Sequence, residues 1–311
     1  MLNSLPAPLR GAAVAALAGA ALTACGGPSS PPAGHDTAAP LVSSAPAAHD
    51  VPVLSGDYSG KLPIAVYSLT AAQGDLIQSA EAKLEQECLK HYGISYSFAR
   101  QPVTRNADRR YGLSSPEEAK AYGYHLPPSP EVSAPPVPPG LQTVLRGETR
   151  GRGTDGRVTY HGKTVPKGGC RAGAVERVEG KYAQPRISAA AAAIADGSYA
   201  QSMRHPDVVA AFRSWSRCMA ASGDYHYSGP MDPLNVPAFA ERHPAAWEIP
   251  TAVADVACKR RTRLLPVWFG VESRIQAAAI SKQAGALAEL KRIHGAEVAE
   301  AKAVIEERAD K

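Results

Sequence analysis

Asp207-Val-Val-Ala-Ala-Phe-Arg-Ser-Trp-Ser-Arg-Cys218-Met-Ala-Ala-Ser-Gly223 is the stretch whose reading decides the fold. Val208, Phe212, Trp215 and Met219 recur at helical spacing, so one face of a helix is apolar and Cys218 sits near its end. Pro206 suits the first turn, where a missing N–H costs nothing. Gly223 suits a left-handed stop. Residues 76–93 repeat the design, with Ile77, Ala80, Leu84, Cys88 and Tyr92 along one face and Gly93 after them. An aromatic run follows each glycine, Tyr96 and Phe98 in one case, Tyr225 and Tyr227 in the other. The two stretches read as a weak internal duplication of a cysteine-bearing helix.

Composition fits that reading. The chain has 311 residues, of which 44% are apolar and only 6% aromatic, so the expected core is helix-rich and built from small side chains. A net charge of +5 is mild, without the dense basic face of a nucleic-acid binder, and no nucleic acid is expected as a partner. The fold class expected is mainly α: a disulfide-braced helical body with a small β-hairpin and a long C-terminal helix.

The N-terminus has one cation in residues 1–10 and then a small-residue apolar run over 11–22, too short for a stable span and suited to a signal peptide. The run ends in Leu22-Thr23-Ala24-Cys25 before Gly26-Gly27-Pro28. This closely resembles the lipobox of bacterial lipoproteins. The resemblance implies cleavage before Cys25, a diacylglyceryl group on its sulfur, and a membrane partner engaged through that lipid. Residues 1–24 are then the signal peptide, and the protein sits on the extracytoplasmic face of the cell membrane. Residues 25–61 are rich in Pro, Ala, Ser and Gly and read as a tether reaching roughly 30–35 Å.

With Cys25 lipidated, Cys88, Cys170, Cys218 and Cys258 remain, an even number in an oxidising compartment. Three pairings are open. Cys88–Cys170 with Cys218–Cys258 is preferred, because it ties each cysteine helix within its own half; such loops contribute at most about 4–5 kcal/mol each. The sequence has no C-x-x-C and no paired histidine, so neither zinc nor any other cofactor is expected.

Residues 62–265 read as the body. Within it 62–67 suits a short strand, Thr70 caps the first cysteine helix, and Ser115-Pro116-Glu117-Glu118 opens a short helix with a capping box, closed by Gly123. A Pro-rich linker spans 126–140 and a Gly/Arg-rich loop 146–156. Residues 157–165 read as a hairpin turning at His161-Gly162. Gly162-Lys163-Thr164 imitates a phosphate-binding loop, but Arg157 stands where its first glycine should be, and nucleotide binding is rejected. A short helix opens at Gly168-Gly169-Cys170, and 187–194 is an alanine-rich helical piece. Pro250 starts a helix with Val253, Val256 and Ala257 inward, and Lys259-Arg260-Arg261-Thr262-Arg263 reads as its solvated side. Pro266 then breaks the chain. Residues 266–311 read as one long helix, about 60 Å if continuous, folded back over the body, with Gly285 and Gly295 as weak points.

Several phrases occur together: Arg109-Arg110-Tyr111-Gly112-Leu113, Ala121-Tyr122-Gly123-Tyr124-His125, Pro166-Lys167-Gly168-Gly169-Cys170, Trp215-Ser-Arg-Cys218-Met219 and Ala254-Asp255-Val256-Ala257-Cys258-Lys259. The set resembles a group of uncharacterised secreted lipoproteins of high-GC actinobacteria. That resemblance transfers no activity.

Catalytic patterns are absent from the sequence: it contains neither a G-x-S-x-G elbow nor an H-E-x-x-H pair. The histidines are scattered, and Glu85, Glu87 and Asp255 read as solvated acids. Tyr96, Tyr111, Tyr122 and Tyr124 with Arg109 and Arg110 are the candidate binding residues, since tyrosines offer sugars and peptides a flat apolar face with a polar tip. The competing assignment has the tyrosines filling the core and the arginines facing water. The expected function is a non-enzymatic accessory or ligand/partner-binding lipoprotein of the cell envelope, its partner an envelope protein or an anionic wall polymer. The alternative is an envelope hydrolase with a site between the two halves.

Overall fold

The computed structural model describes residues 58–98, 108–128, 135–147, 158–180, 185–241 and 244–307. The signal peptide, Cys25, the tether up to residue 57, Arg100, Arg105, His243 and the middle of the Pro-rich linker lie outside them. The described elements are α1 (Ala71–His91), α2 (Pro116–Tyr122), α3 (Leu141–Arg146), β1 (Val158–Tyr160), β2 (Lys163–Val165), α4 (Gly169–Glu179), α5 (Pro185–Ser202), α6 (Pro206–Ser222), α7 (Glu248–Arg261), α8 (Leu264–Lys282) and α9 (Ala284–Glu306). None of these helices is long and apolar enough to cross a membrane. The mainly helical, twice disulfide-bonded body with one hairpin is thus present. β1 and β2 pair antiparallel about His161 and Gly162, both at positive φ, which suits a tight hairpin turn.

Both disulfides join the expected partners, with Cα atoms 5.6 Å apart in each. The two cysteine helices are nevertheless not structural copies. α1 and α4 run antiparallel, since Cys88 meets Cys170 while Glu81, two turns earlier on α1, meets Glu179 at the end of α4. α6 and α7 run parallel, since Trp215 bonds Asp255 and, one turn on in both, Cys218 joins Cys258.

Core composition also splits. Around the second disulfide the core is aromatic, with Trp215 and Trp268 fully buried among Tyr58, Tyr111, Val208 and Leu264. Where α9 lies across α1 and α4 the core is built from Ile77, Ala80, Val178, Ala301 and Val304, the small side chains the composition implies. The C-terminal helix is folded back over the body, as read from the sequence.

Local differences have identifiable causes. Residues 58–61, read as the end of the tether, are docked: Tyr58 is buried edge-on against Tyr111. Residues 63–67 form a 3-10 helix instead of a strand; Pro63 sets its first turn, and the Ile64 N–H goes to Gln276 Oε1 at 3.1 Å. Thr70 caps α1 and forms a full capping box with Gln73. At α2 only half of the expected box forms. Ser115 accepts from the Glu118 N–H, but the Glu118 carboxylate turns to Arg109 at 3.0 Å. Gly223 is extended, not left-handed; the Tyr225 ring would lie 2.7 Å from any Cβ there. Pro266 does not break the chain, because it falls in the first turn of α8, where proline is tolerated. The break lies at Arg263, which is left-handed at φ 53°. The long terminal helix is two helices, divided at Gln283 and not at either glycine.

Candidate functional site

The charged centre of the molecule lies on α7 and α8. Asp255 and Lys259, one turn apart on α7, are both fully buried and pair at 3.0 Å. Removing two charges from water is expensive unless their remaining hydrogen-bonding positions are filled. Here they are. Asp255 accepts from Trp215 Nε1 at 2.9 Å and from the Tyr124 hydroxyl at 3.3 Å, while Lys259 donates to the Leu113 carbonyl at 2.9 Å. Burial pushes the Asp255 carboxyl up and the Lys259 ammonium down, and each opposes the shift of the other.

A second centre surrounds Glu272, also fully buried. It accepts from Tyr111 Oη at 2.7 Å, Ser198 Oγ at 2.9 Å, Gln276 Nε2 at 3.1 Å, and the Arg110 guanidinium. Arg110 also donates to the Ala195 carbonyl at 2.6 Å and lies over the Tyr199 ring. Burial would lower the Arg110 guanidinium; its bonds to Glu272 outweigh this and hold it above its ordinary value. Burial, with Glu272 beside it, drives the Tyr111 phenol far up.

The third centre is Glu248 at the start of α7. Its carboxylate accepts from the Tyr124 N–H at 2.8 Å and the Ala245 N–H at 3.2 Å, and meets His125 Nδ1 at 2.8 Å. Gly123 makes room for it: at φ +61° a Cβ would stand 2.5 Å from Glu248 Oε1. His125 Nε2 faces the Glu241 carbonyl at 2.7 Å. Both ring nitrogens therefore face acceptors, which favours the doubly protonated ring. The Glu241 carbonyl, which outweighs the opposing effect of burial, holds His125 above its ordinary value, and Glu248 adds to it.

The sequence-predicted binding residues do not form one cleft. Tyr111 packs with Trp268 in the aromatic core, and Tyr124 stacks on Phe239 at 5.1 Å in a separate cluster. Tyr96 lies edge-on to Phe98 beside the first disulfide's cluster, and Tyr122 is half-buried. Arg109 and Arg110 do not face water; they pair with Glu118 and Glu272. Arg109 also donates to the His125 carbonyl at 3.1 Å, while its Nε and Nη1 are buried without a partner among the described residues. Asp255 and Lys259, read as solvated, form the innermost ion pair, and Ala257, read as inward, is exposed. Glu85 is buried, 4.0 Å from Arg171, and Glu87 is exposed.

Two surface features escaped sequence reading. Trp247 is 48% exposed and rests on Phe239 at 4.5 Å. A groove of about 440 Å³ follows α8, floored by Val271, Ile275, Ala278 and Ala279. No lone motif marks either, since each depends on contacts between distant segments. Among the described residues no group of three or more His, Cys, Asp or Glu could hold a metal ion. No family model, curated protein or solved structure matches the chain.

Proposed function

We propose that this chain is an extracytoplasmic lipoprotein, held on the outer face of the cell membrane by lipid on Cys25, that serves as a non-enzymatic accessory or binding module of the envelope. The observation that carries the reading is how the interior acids and bases are used. Asp255, Lys259, Glu272, Arg110 and Glu248 each spend their hydrogen-bonding capacity on joining helices to loops or to one another. Two disulfides between helices fit an oxidising compartment. Trp247 and the α8 groove remain as surfaces for a ligand or partner.

The hydrolase reading draws on one feature, the His125–Glu248 pair. A general base needs a nitrogen free to take a proton from its substrate. In His125 both nitrogens already face protein acceptors, so the pair serves better as a latch between the α2 end, residue 241 and α7.

The test is chemical crosslinking in intact cells, recovery of the tagged full chain, and mass spectrometry of what accompanies it. Recurring recovery of one envelope protein or wall polymer through residues at Trp247 or α8 supports the reading. Turnover of a wall substrate by the purified chain, lost in a folded His125→Asn variant, refutes it. Deleting 267–311 is not a usable control, because it removes Trp268 and Glu272 from the core.

A further inference from the structure

The α8 groove has a charge pattern of its own. Arg274, Ala278 and Lys282 follow one another at helical spacing on α8, and Val271, Ile275 and Ala279 form the adjoining stripe. Gln201 and His205, from the end of α5 and the turn after it, form the opposite wall. Among the described residues lining the groove there is no carboxylate. Arg274 and Lys282 are exposed, and neither makes an ion pair among the described residues. Asp207, which is not among the lining residues, lies 3.7 Å from His205. The one acid within α8, Glu272, points into the core and is consumed by Arg110 and Tyr111. The outer face of α8 is therefore cationic at both ends and apolar between them.

Its floor is also low. Ala278 and Ala279 present only methyl groups, so a second helix can approach α8 near the short end of the 8–10 Å interaxial range. From Arg274 to Lys282 the accessible stripe runs about 12 Å, a little over two turns of a partner helix. Arg274 and Lys282 stand about 12 Å apart along the axis, the rise between helical positions seven or eight residues apart. Two carboxylates at that spacing on a docked helix would face both cations at once.

We infer that the α8 groove receives an amphipathic helix of an envelope protein, with small or apolar residues against Ile275, Ala278 and Ala279 and acidic residues at i and i+7 or i+8 against Arg274 and Lys282. This rests on the binding-module reading and names the partner's chemistry at one of its two surfaces. Docking of this kind draws affinity from the apolar face and partner choice from the charges.

The test is site-specific photo-crosslinking in the producing cells, using the full lipid-anchored chain. One variant carries Ser281→p-benzoylphenylalanine, exposed on α8 at the rim of the groove and not on its floor, and a second carries Trp247→p-benzoylphenylalanine. The crosslinked segment is sequenced by mass spectrometry. The expected result at position 281 is an adduct to a helical segment of a different protein with acids seven or eight residues apart. Adding Arg274→Glu and Lys282→Glu should cut its yield at least tenfold while the thermal midpoint stays unchanged, because both side chains are exposed. The inference is overturned by no adduct at 281, by an adduct to a second copy, to lipid or to wall polymer, by a partner segment without the acids, or by a yield that ignores the charge reversal. An adduct at 247 alone overturns it while leaving the binding-module reading standing; no adduct at either position removes the support of both.

Discussion

Lys259→Met is the perturbation whose size follows most directly from the structure. Methionine keeps most of the length and apolar character of the lysine stem and deletes the ammonium. The Leu113 carbonyl, 2.9 Å away, loses its donor, and Asp255 keeps Trp215 and Tyr124 but loses its counter-ion. Both charged side chains are fully buried, so no water replaces the loss. Breaking such a pair from one side costs about 3–5 kcal/mol. Asp255 has one escape, which is to take a proton. At pH 7 that costs about 4 kcal/mol for a carboxyl that ionises near 3.9 when unfolded, and at pH 5 about 1.5 kcal/mol. The sign follows. In the variant the folded carboxyl titrates above its unfolded value, so the stability tied to it is intact below the unfolded value and is lost as pH rises. The expected loss relative to wild type is therefore about 3–4 kcal/mol at pH 7, shrinking toward about 1.5 kcal/mol at pH 5. Adding Asp255→Asn should recover more than half of it, because the uncompensated charge is gone. Urea unfolding with both disulfides intact, followed by tryptophan fluorescence, reads all three chains, since Trp215 bonds Asp255 and Trp268 is buried in the same core cluster. A loss under about 1 kcal/mol at pH 7, a loss independent of pH, or a double variant no better than the single would refute the reasoning.

Other outcomes follow from the remaining groups. Burial first, then a hydrogen bond and charge from Glu179, raise Glu81 to about 7, with Glu85 adding and Arg171 opposing. Its contribution is thus full below pH 4.5 and lost as pH rises through 7; after discounting for its partial exposure, Glu81→Gln should gain about 1 kcal/mol over wild type at pH 8 and none at pH 4, by urea titration. His125 is held above its ordinary value by the Glu241 carbonyl and then by Glu248, so its latch is complete in acid and loosens as pH rises past that raised value. Hydrogen exchange at the Tyr124 and Ala245 amides should accelerate beyond the intrinsic rate on alkalinisation, and His125→Gln should remove that excess. Cys88 is half-buried whereas Cys258 is fully buried, so limiting dithiothreitol should open Cys88–Cys170 first, as alkylation mapping would report; simultaneous opening would contradict the difference in access.

Periodicity made the helices legible and interior charge did not. α6 could be read from Val208, Trp215 and Met219 because tryptophan and methionine at helical spacing have one usual explanation, and all are buried. The hairpin was legible because His161-Gly162 permits a turn that few dipeptides do. Cysteine parity, with one cysteine assigned to lipid, led to the disulfides. Lys259 opens a stretch with four cations in five residues, and such stretches usually face water. Asp255 stands four residues before Lys259, where Arg260 has Val256, but the burial of the pair is supplied by Leu113 at Lys259 and by Tyr124 and Trp215 at Asp255, all far away in the chain. The tyrosines illustrate the same limit. Residues 109–125 did hold the right positions, but Tyr111 and Tyr124 reach inward to Glu272 and Asp255, so the region organises the core and leaves the surface to Trp247 and α8. The division of the terminal helix carries no glycine signal: Gly285 and Gly295 are both helical, and the backbone leaves the helical region at Gln283.

The central claim, that this chain works as a lipid-anchored envelope module, meets its most direct test in the intact mass of the mature protein extracted from the membranes of cells that produce it. The account predicts a chain that begins at Cys25, carries a diacylglyceryl group there, and lacks the hydrogens lost in forming Cys88–Cys170 and Cys218–Cys258. A chain that retains residues 1–24, an unmodified Cys25, or free thiols at the other four cysteines would contradict it.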